Sequence, residues 1–158
     1  MATLIRFVPI LARFIASGFG CGFAPVAPGT FGALGGLAIG ALLLALQPAL
    51  LPAAALVATL LGLWAVRRIG GDDDPGWITI DEVAGQLLAL TPLTHLSLTG
   101  LLVAFALFRL LDILKPGPIG WADRQHGATW VMADDVIAGL IAAGILWAAQ
   151  RQWPIVFQ

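Results

Sequence analysis

The chain has 158 residues, of which 59% are hydrophobic and only 11% are charged, and its mean hydropathy is +0.95. Soluble domains carry about 25% charged residues, so the composition predicts an integral membrane protein whose length allows a single domain, residues 1–158. The net charge of −1 predicts no nucleic-acid partner. Cys21 is the only cysteine, which excludes an internal disulfide and a metal site built from several cysteines.

The N-terminal segment carries two arginines, Arg6 and Arg13, in an otherwise apolar stretch. Their spacing is about two helical turns, so both side chains share one face of a helix. A signal peptide needs an uninterrupted apolar core, and Arg13 interrupts this one. We therefore predict an amphipathic N-terminal helix that lies at the membrane interface.

Three stretches of the chain contain no Lys, Arg, Asp or Glu, and they predict the membrane-embedded helices. These stretches are Phe14–Val66, Val83–Phe108 and Val136–Gln150. A spanning helix needs about 20 mainly apolar residues, so the first stretch accommodates two helices. Prolines just after Gln47 mark the turn between them, because proline interrupts helical hydrogen bonding. We predict spans near Phe31–Leu46 and Pro52–Arg67, with Thr30 as a candidate N-cap, and a third span in the last stretch.

Glycines dominate the segment around the start of the first span. The G-x-G-x-G pattern at 18–22 is a weak signal for a phosphate-binding loop, since no strand–turn–helix context accompanies it. Gly32, Gly36 and Gly40 then recur every four residues and form a smooth ridge along one helix face. Such a ridge allows helix backbones to approach closely. We therefore predict that these three glycines serve helix packing.

The second uncharged stretch is interrupted by Thr91, Pro92 and His95. We predict a fold-back hairpin at 80–111, with a helix near Ile80–Leu90, a bend, and a helix near Leu96–Leu111. The hairpin is either re-entrant or two thin crossings, and the alternative is one kinked span. Basic residues in the N-terminus and in the segments 67–82 and 109–135 mark all three as cytoplasmic, which favours the hairpin. The predicted architecture is all-α, a polytopic membrane helix bundle.

Two pairs of adjacent acids, Asp81–Glu82 and Asp134–Asp135, stand where apolar helices are expected to begin. Carboxylates stabilise helix N-termini, and Asp134 is a natural N-cap, so capping alone is one interpretation. Neighbouring anions also repel, more strongly where the dielectric constant is low. A hard divalent cation such as Mg²⁺, which prefers carboxylate oxygens, would offset that repulsion. Both interpretations remain open at this level.

Charges alternate in sign along the stretch FRLLDILKPGPIGWADR, residues 108–124. Arg109, Asp112 and Lys115 are spaced by three residues and share a helix face. They form either interfacial ion pairs or a phosphate-binding clamp, in which arginine offers a bidentate fork and lysine a point charge. Arg124 is a third cation in the same stretch. Cations beside metal-binding acids are what phosphoryl transfer requires.

Four stretches of the sequence resemble the phosphatidylglycerophosphatase A family of bacterial inner-membrane lipid phosphatases. They are APVAPGTFGALGG, DPGWITIDEVAGQ, FRLLDILKPGPIGWADR and VMADDVIAG. The resemblance implies Mg²⁺-dependent hydrolysis of phosphatidylglycerophosphate to phosphatidylglycerol and inorganic phosphate. It also implies a multi-pass protein of the bacterial inner membrane, with its active site facing the cytoplasm and its phospholipid substrate in the cytoplasmic leaflet.

The resemblance further implies two overlapping groups of site residues, metal ligands and catalytic residues. The expected metal ligands are Asp74, Asp81, Glu82, Asp112, Asp134 and Asp135. The expected catalytic residues are Asp81, Glu82, Asp123, Asp134 and Asp135. The alternating charges of residues 108–124 add Arg109, Lys115 and Arg124 as the residues expected to bind the substrate phosphate, and Lys115 is the one that the resemblance includes. One acid would serve as general base or as nucleophile, and both routes stay open.

Two other functions compete with a phosphatase. An ion-coupled transporter would carry carboxylates at mid-membrane depth, whereas here the acids are expected at the ends of the spans. A membrane scaffold would account for the glycine ridge but not for acids interleaved with Arg and Lys.

Overall fold

The structure, a computed structural model, describes residues 2–71 and 73–157, apart from the side chains of residues 2–7 and 156. The described residues form seven α-helices joined by turns and short 3₁₀ segments, without a strand, which confirms the all-α prediction. The helices are α1 (Ala2–Ala16), α2 (Pro28–Leu46), α3 (Leu51–Ile69), α4 (Ile80–Leu90), α5 (Leu98–Leu114), α6 (Pro118–Asp123) and α7 (Ala128–Gln152).

Three segments of the described chain are long and apolar enough to cross a membrane, namely Pro28–Leu46, Pro48–Ile69 and Ala128–Gln152. The first two agree with the predicted spans to within a few residues. Both begin at proline, whose fixed φ and missing N–H suit the first turn of a helix. The protein is therefore a membrane protein with three candidate spanning helices.

Both predicted N-caps are wrong. The third span begins at Ala128, so Asp134 and Asp135 lie about two turns inside α7 and are buried by the bundle. Similarly, α2 begins at Pro28 after Ala27, and Thr30 lies within its first turn. The helix extends back past Asp134 because the bundle, rather than the end of the helix, surrounds the two carboxylates, and Lys115 pairs with Asp134.

Helices α4 and α5 form the predicted fold-back hairpin. Glu82 at the start of α4 and Arg109 near the end of α5 both approach Gly29, so the hairpin returns to the surface where it began. At the turn, Nε2 of His95 lies 2.8 Å from the carbonyl oxygen of Phe157, which is a structural role. The two helices rise about 16 and 25 Å, less than the ~30 Å hydrocarbon core.

Helix α4 lies between α2 and α7. The predicted glycine ridge of α2 packs on it, because a Cβ at Gly36 would lie 2.8 Å from the carbonyl oxygen of Val83. On the other side, a Cβ at Gly85 would lie 2.7 Å from the carbonyl oxygen of Asp135, and one at Gly139 would collide with the Gly85 backbone. Asp81 precedes Gly85 by one turn, and Asp135 precedes Gly139 by one turn. The close crossing of the two helices therefore brings Asp81 and Asp135 face to face.

Helix α1 packs against α3 and ends beside the start of α4, where the amide of Thr79 donates to the carbonyl of Ala16 at 2.9 Å. The guanidinium carbon of Arg13 lies 5.1 Å from the centroid of the Trp77 ring. The side chain of Arg6 lies outside the described residues. The position of α1 at the membrane interface stays a prediction.

Candidate metal and active site

Three carboxylates converge where α4 crosses α7. One oxygen from each of Asp81, Glu82 and Asp135 lies within 4.8 Å of the others. Asp81 is 5% exposed and Asp135 is 3% exposed. The amide of Glu82 donates to Oδ1 of Asp81 at 3.0 Å, which orients that carboxylate. We call these three residues the carboxylate cluster.

The carboxylate cluster carries more negative charge than the described residues neutralise. Oε2 of Glu82 and Oδ1 of Asp135 are buried and have no hydrogen-bond partner in the described part of the chain. Buried, unpaired charge is costly, and neighbouring carboxylates repel. An all-oxygen donor set of this kind fits a hard divalent cation, so the cluster could hold a metal ion. Helix capping explains Asp81 and Glu82 in the first turn of α4 but not Asp135 inside α7.

Arg109 and Asp112 form an ion pair on α5, as their spacing predicts, and both are largely buried. Nη2 of Arg109 also lies 3.5 Å from Oγ1 of Thr30 on α2. Asp112 is in turn a close neighbour of Asp135. The pair therefore places a positive charge beside the carboxylate cluster, and Asp112 links the two.

Lys115 pairs with two predicted site acids. Its Nζ donates to Oδ2 of Asp134 at 2.8 Å and also to Asp123. Burial by itself would lower the pKa of Lys115, but these hydrogen bonds outweigh it and raise that pKa above its ordinary value. Lys115 follows α5 in a left-handed conformation, with φ of 45°. Asp134 is thus neutralised by Lys115 and does not join the three acids of the carboxylate cluster.

A cavity of about 220 Å³ lies beside Asp134. It is lined by Asp73, Asp74, Asp123, Gln125, His126, Trp130, Val131 and Asp134. Partial burial, followed by the negative charge of Asp134, raises the pKa of Asp74 to about 6, although its side chain still reaches solvent. The structure therefore brings Asp74, Asp123 and Asp134 to one acidic cavity.

Arg124 is placed apart from the other predicted site residues. Its side chain is exposed, and Nη1 lies near Gly120 of α6. Within residues 2–71 and 73–157 it forms no ion pair with an acid. A role for Arg124 in phosphate binding stays a prediction.

Two buried polar residues near the site were not singled out by the sequence. Gln86 is fully buried, and neither amide atom has a hydrogen-bond partner among the described residues. It lies one turn after Glu82 on the same helix face. Thr79, also fully buried, precedes α4 directly. The sequence offered one indication of Gln86, which is that its amide stands within an apolar stretch. Buried polar groups need hydrogen-bond partners, so such a residue is a candidate for a role at the site.

The fold and site define an integral membrane protein with an acidic, cation-flanked centre of the kind that phosphoryl chemistry uses. Residues 14–150 match the sequence profile of the family described as Phosphatidylglycerophosphatase A. The chain belongs to that family and is a phosphatase. This confirms the resemblance and sets aside the transporter and scaffold alternatives.

Three relatives match most of the chain. Phosphatidylglycerophosphatase A of Escherichia coli K12 is 34% identical, covering 90% of this chain and 86% of the relative. The Haemophilus influenzae protein of the same name is 37% identical, covering 87% and 88%. A Bacteroides thetaiotaomicron protein, provisionally named phosphatidylinositol-3-phosphatase, is 38% identical, covering 94% and 96%. No solved structure matches the chain.

Proposed function

We propose that this chain, as one integral-membrane domain, hydrolyses the terminal phosphate of phosphatidylglycerophosphate to give phosphatidylglycerol and inorganic phosphate. The observation that carries the proposal is the convergence of the carboxylate cluster beside two cations, Arg109 and Lys115. Two of the relatives bear the name of this activity. Their similarity over most of the chain supports the same substrate class here.

The carboxylate cluster is the proposed site of Mg²⁺. Asp112, a close neighbour of Asp135, is a further ligand proposed from the family resemblance, whereas Asp74 and Asp134, which the resemblance also suggested as ligands, have other proposed roles. When bound there, Mg²⁺ supplies Lewis-acid polarisation of the phosphoryl group and lowers the pKa of water. Unpartnered oxygens on Glu82 and Asp135 supply the donor atoms. Asp112 and Arg109 hold each other beside these donors, so the geometry around the cluster is fixed before the substrate arrives.

Arg109 and Lys115 supply positive charge for the phosphate. Negative charge spreads over the phosphoryl oxygens in the transition state, and fixed cations stabilise it without reorganisation. Lys115 is held by Asp123 and Asp134, so the proposed role of these two acids is to position it.

A carboxylate either takes a proton from the attacking water or attacks phosphorus itself. Asp74 lies in the acidic cavity, and partial burial raises its pKa to about 6, which suits a group that accepts a proton near neutral pH. Asp74 is therefore the candidate base of the general-base route, and the nucleophilic route remains the alternative.

The distribution of basic residues supports a cytoplasmic active site in the bacterial inner membrane. Arg13, Arg67, Arg68, Lys115 and Arg124 all lie at the end of the bundle that holds the site, whereas Arg151 lies in the last turn of α7 at the other end. Basic residues mark the cytoplasmic side of membrane proteins. The substrate would then enter from the cytoplasmic leaflet.

The deciding experiment is phosphate release from phosphatidylglycerophosphate by the purified protein in detergent micelles. We expect release with Mg²⁺, loss of release with EDTA, and recovery when Mg²⁺ is restored. Release that persists in EDTA would contradict the metal proposal alone. Absence of release from protein with a cooperative thermal transition would contradict the proposed substrate.

The same assay with phosphatidylinositol 3-phosphate tests the second candidate substrate. The name of the Bacteroides thetaiotaomicron relative is the observation that favours it. We expect a lower kcat/KM for this lipid than for phosphatidylglycerophosphate. A higher kcat/KM for phosphatidylinositol 3-phosphate would make that lipid the proposed substrate, with the carboxylate cluster still as the proposed active site.

A further inference from the structure

An apolar groove of about 210 Å³ separates α3 from α7 on the outside of the bundle. It is lined by Thr59, Leu63, Thr129, Met132, Ala133 and Val136. The groove begins at Thr129 in the first turn of α7 and runs to Thr59, more than two turns before the end of α3. Its position in a spanning pair of helices places it within reach of lipid.

Arg67 stands at the mouth of this groove. Its Nη2 donates to Oγ1 of Thr129 at 3.1 Å, which ties the end of α3 to the start of α7. In the described part of the chain, Arg67 forms no ion pair, whereas Arg109 and Lys115 are paired with acids. Since a guanidinium group has five N–H donors, most of those on Arg67 remain available to a ligand.

The acidic cavity adjoins the groove along α7. Trp130, Val131 and Asp134 line the cavity, and they alternate along the helix with the residues that line the groove. Thr129 and Asp134 are separated by a rise of about 7.5 Å along the helix. The apolar groove and the acidic cavity therefore lie on neighbouring sides of the first two turns of α7. Arg67 of α3, which forms no ion pair with the described residues, contacts α7 at Thr129.

We propose that the groove binds an acyl chain of the phospholipid and that Arg67 binds the phosphodiester of the same molecule. The inference rests on the proposed function, because phosphatidylglycerophosphate carries a diester next to its acyl chains and a terminal monoester beyond a glycerol linker. The diester meets Arg67 while the linker crosses the rim of the cavity and the monoester reaches the carboxylate cluster. Arg67 is thus a substrate-binding residue that recognises the phosphate that does not react.

Binding of phosphatidylglycerol tests the proposal without turnover, since this lipid keeps the diester and lacks the monoester. The Kd is measured by titration calorimetry of the full chain in detergent micelles. We expect Arg67→Ala to raise the Kd roughly tenfold, because it removes a charge-assisted hydrogen bond. Arg68→Ala is the matched control, since Arg68 has the same charge and exposure but no hydrogen bond to α7 among the described residues. Its Kd should equal that of the unaltered protein.

A second pair of variants tests the groove. Ala133→Phe fills it, whereas Ala148→Phe adds the same ring on an exposed position of the same helix. We expect only Ala133→Phe to weaken phosphatidylglycerol binding, by roughly tenfold, since it displaces an acyl chain. Inhibition of the phosphatase by inorganic phosphate should be the same in all four variants, because that ligand occupies the monoester site alone.

Equal effects of Arg67→Ala and Arg68→Ala would overturn the proposal, and so would an unaltered protein that does not bind phosphatidylglycerol. These results are distinguishable from failure of the proposed function. Binding of phosphatidylglycerol that depends on Arg67, without release of phosphate from phosphatidylglycerophosphate, would support the proposed lipid site and contradict the proposed substrate. Release of phosphate from phosphatidylglycerophosphate, together with phosphatidylglycerol binding that does not depend on Arg67, would support the proposed substrate and contradict the proposed lipid site.

Discussion

Asp134 and Asp135 are neighbours in sequence and have different partners. Successive side chains on a helix point in different directions, so Asp134 reaches Lys115 while Asp135 reaches Asp81 and Glu82 on α4. Asp134 therefore forms an ion pair with a lysine, and Asp135 belongs to the carboxylate cluster.

This division predicts different kinetic effects of two similar substitutions. We expect Asp135→Asn to raise the half-saturating Mg²⁺ concentration at least about tenfold, because it removes a charged oxygen donor. Asp134→Asn should leave that concentration nearly unchanged and raise KM for the lipid, because Lys115 loses a partner. Steady-state kinetics over a Mg²⁺ titration measures both quantities. Equal increases in the Mg²⁺ requirement would show that Asp134 is also a ligand.

Asp74 predicts a pH-dependent difference in stability. Its pKa is about 6 in the folded protein, above the ordinary value of 3.8 for an unburied aspartate, so the folded state binds the proton more tightly. The folded protein accordingly loses stability as pH rises from about 4 to 6, and the loss then levels off. Asparagine is uncharged, as protonated aspartate is, so the Asp74→Asn variant should not lose stability through ionisation at this position as the pH rises.

Thermal unfolding in detergent with EDTA measures this effect. The melting temperature of Asp74→Asn minus that of the unaltered protein should grow between pH 4 and pH 6 and stay constant above pH 7. Asp73→Asn is the control, since Asp73 is an exposed neighbour. A difference that does not change with pH would contradict the raised pKa of Asp74.

At the residue scale, spacing along the sequence predicted pairs within one helix, whereas only the family resemblance indicated that acids of different helices meet. The Arg109–Asp112 pair follows from a spacing of three residues on one helix. The bond between Lys115 and Asp134 joins two helices and depends on the turn after α5, so no local spacing reveals it. The same is true of the meeting of Asp135 with Asp81, which depends on how α4 and α7 cross.

At the scale of elements, the crossing of α4 and α7 depends on two glycines. A side chain at Gly139 would meet the backbone of Gly85, which cannot move away as a flexible side chain can. Each glycine follows an acid of the carboxylate cluster by one turn. The distance between the two helices therefore sets the distance between the carboxylates.

This arrangement predicts that Gly139→Ala destabilises the protein and weakens metal binding together. We expect the free energy of unfolding to fall by about 2 kcal/mol or more, as overpacking does. Gly144→Ala on the same helix is the matched control, since its Cβ would meet no atom within 4 Å. Alanine favours a helix by up to about 1 kcal/mol over glycine, so this control should be as stable as the unaltered protein or slightly more stable.

Denaturant titration with and without Mg²⁺ measures both quantities for these two variants. Equal stabilities of Gly139→Ala and Gly144→Ala would show that α7 can shift without cost. An unchanged Mg²⁺ requirement in Gly139→Ala would separate the helix crossing from the carboxylate cluster.

Element boundaries were predictable where local chemistry sets them. Helix α4 runs over Ile80–Leu90 as predicted, because acids favour its first turn and Pro92 disfavours helical geometry just beyond it. The start of α7 was misplaced by several residues, because two charges in a membrane span look unfavourable without their partners. The partner of Asp134 is Lys115, which follows α5 and is invisible in the sequence around Asp134, and the acids that Asp135 meets come from α4.

At the scale of the whole molecule, the hairpin places residues 73 and 124 at the same end of the bundle and residue 152 at the other. In a Cys21→Ala background, single cysteines can report this arrangement. We expect Asp73→Cys and Arg124→Cys to be protected from a membrane-impermeant maleimide added to intact cells, and Gln152→Cys to react. Reaction of Asp73→Cys and Arg124→Cys from opposite sides would contradict the hairpin.

The crossing of α4 and α7 also bears on how the protein is made. The ribosome delivers α4 well before α7, so during synthesis the glycine-lined face of α4 and its two carboxylates wait without their partner helix. Unpaired acids are unfavourable in a bilayer, so the chain is less stable in the membrane until α7 covers them. The carboxylate cluster is therefore complete only once α7 has been inserted, and we expect truncated chains that lack α7 to have no phosphatase activity.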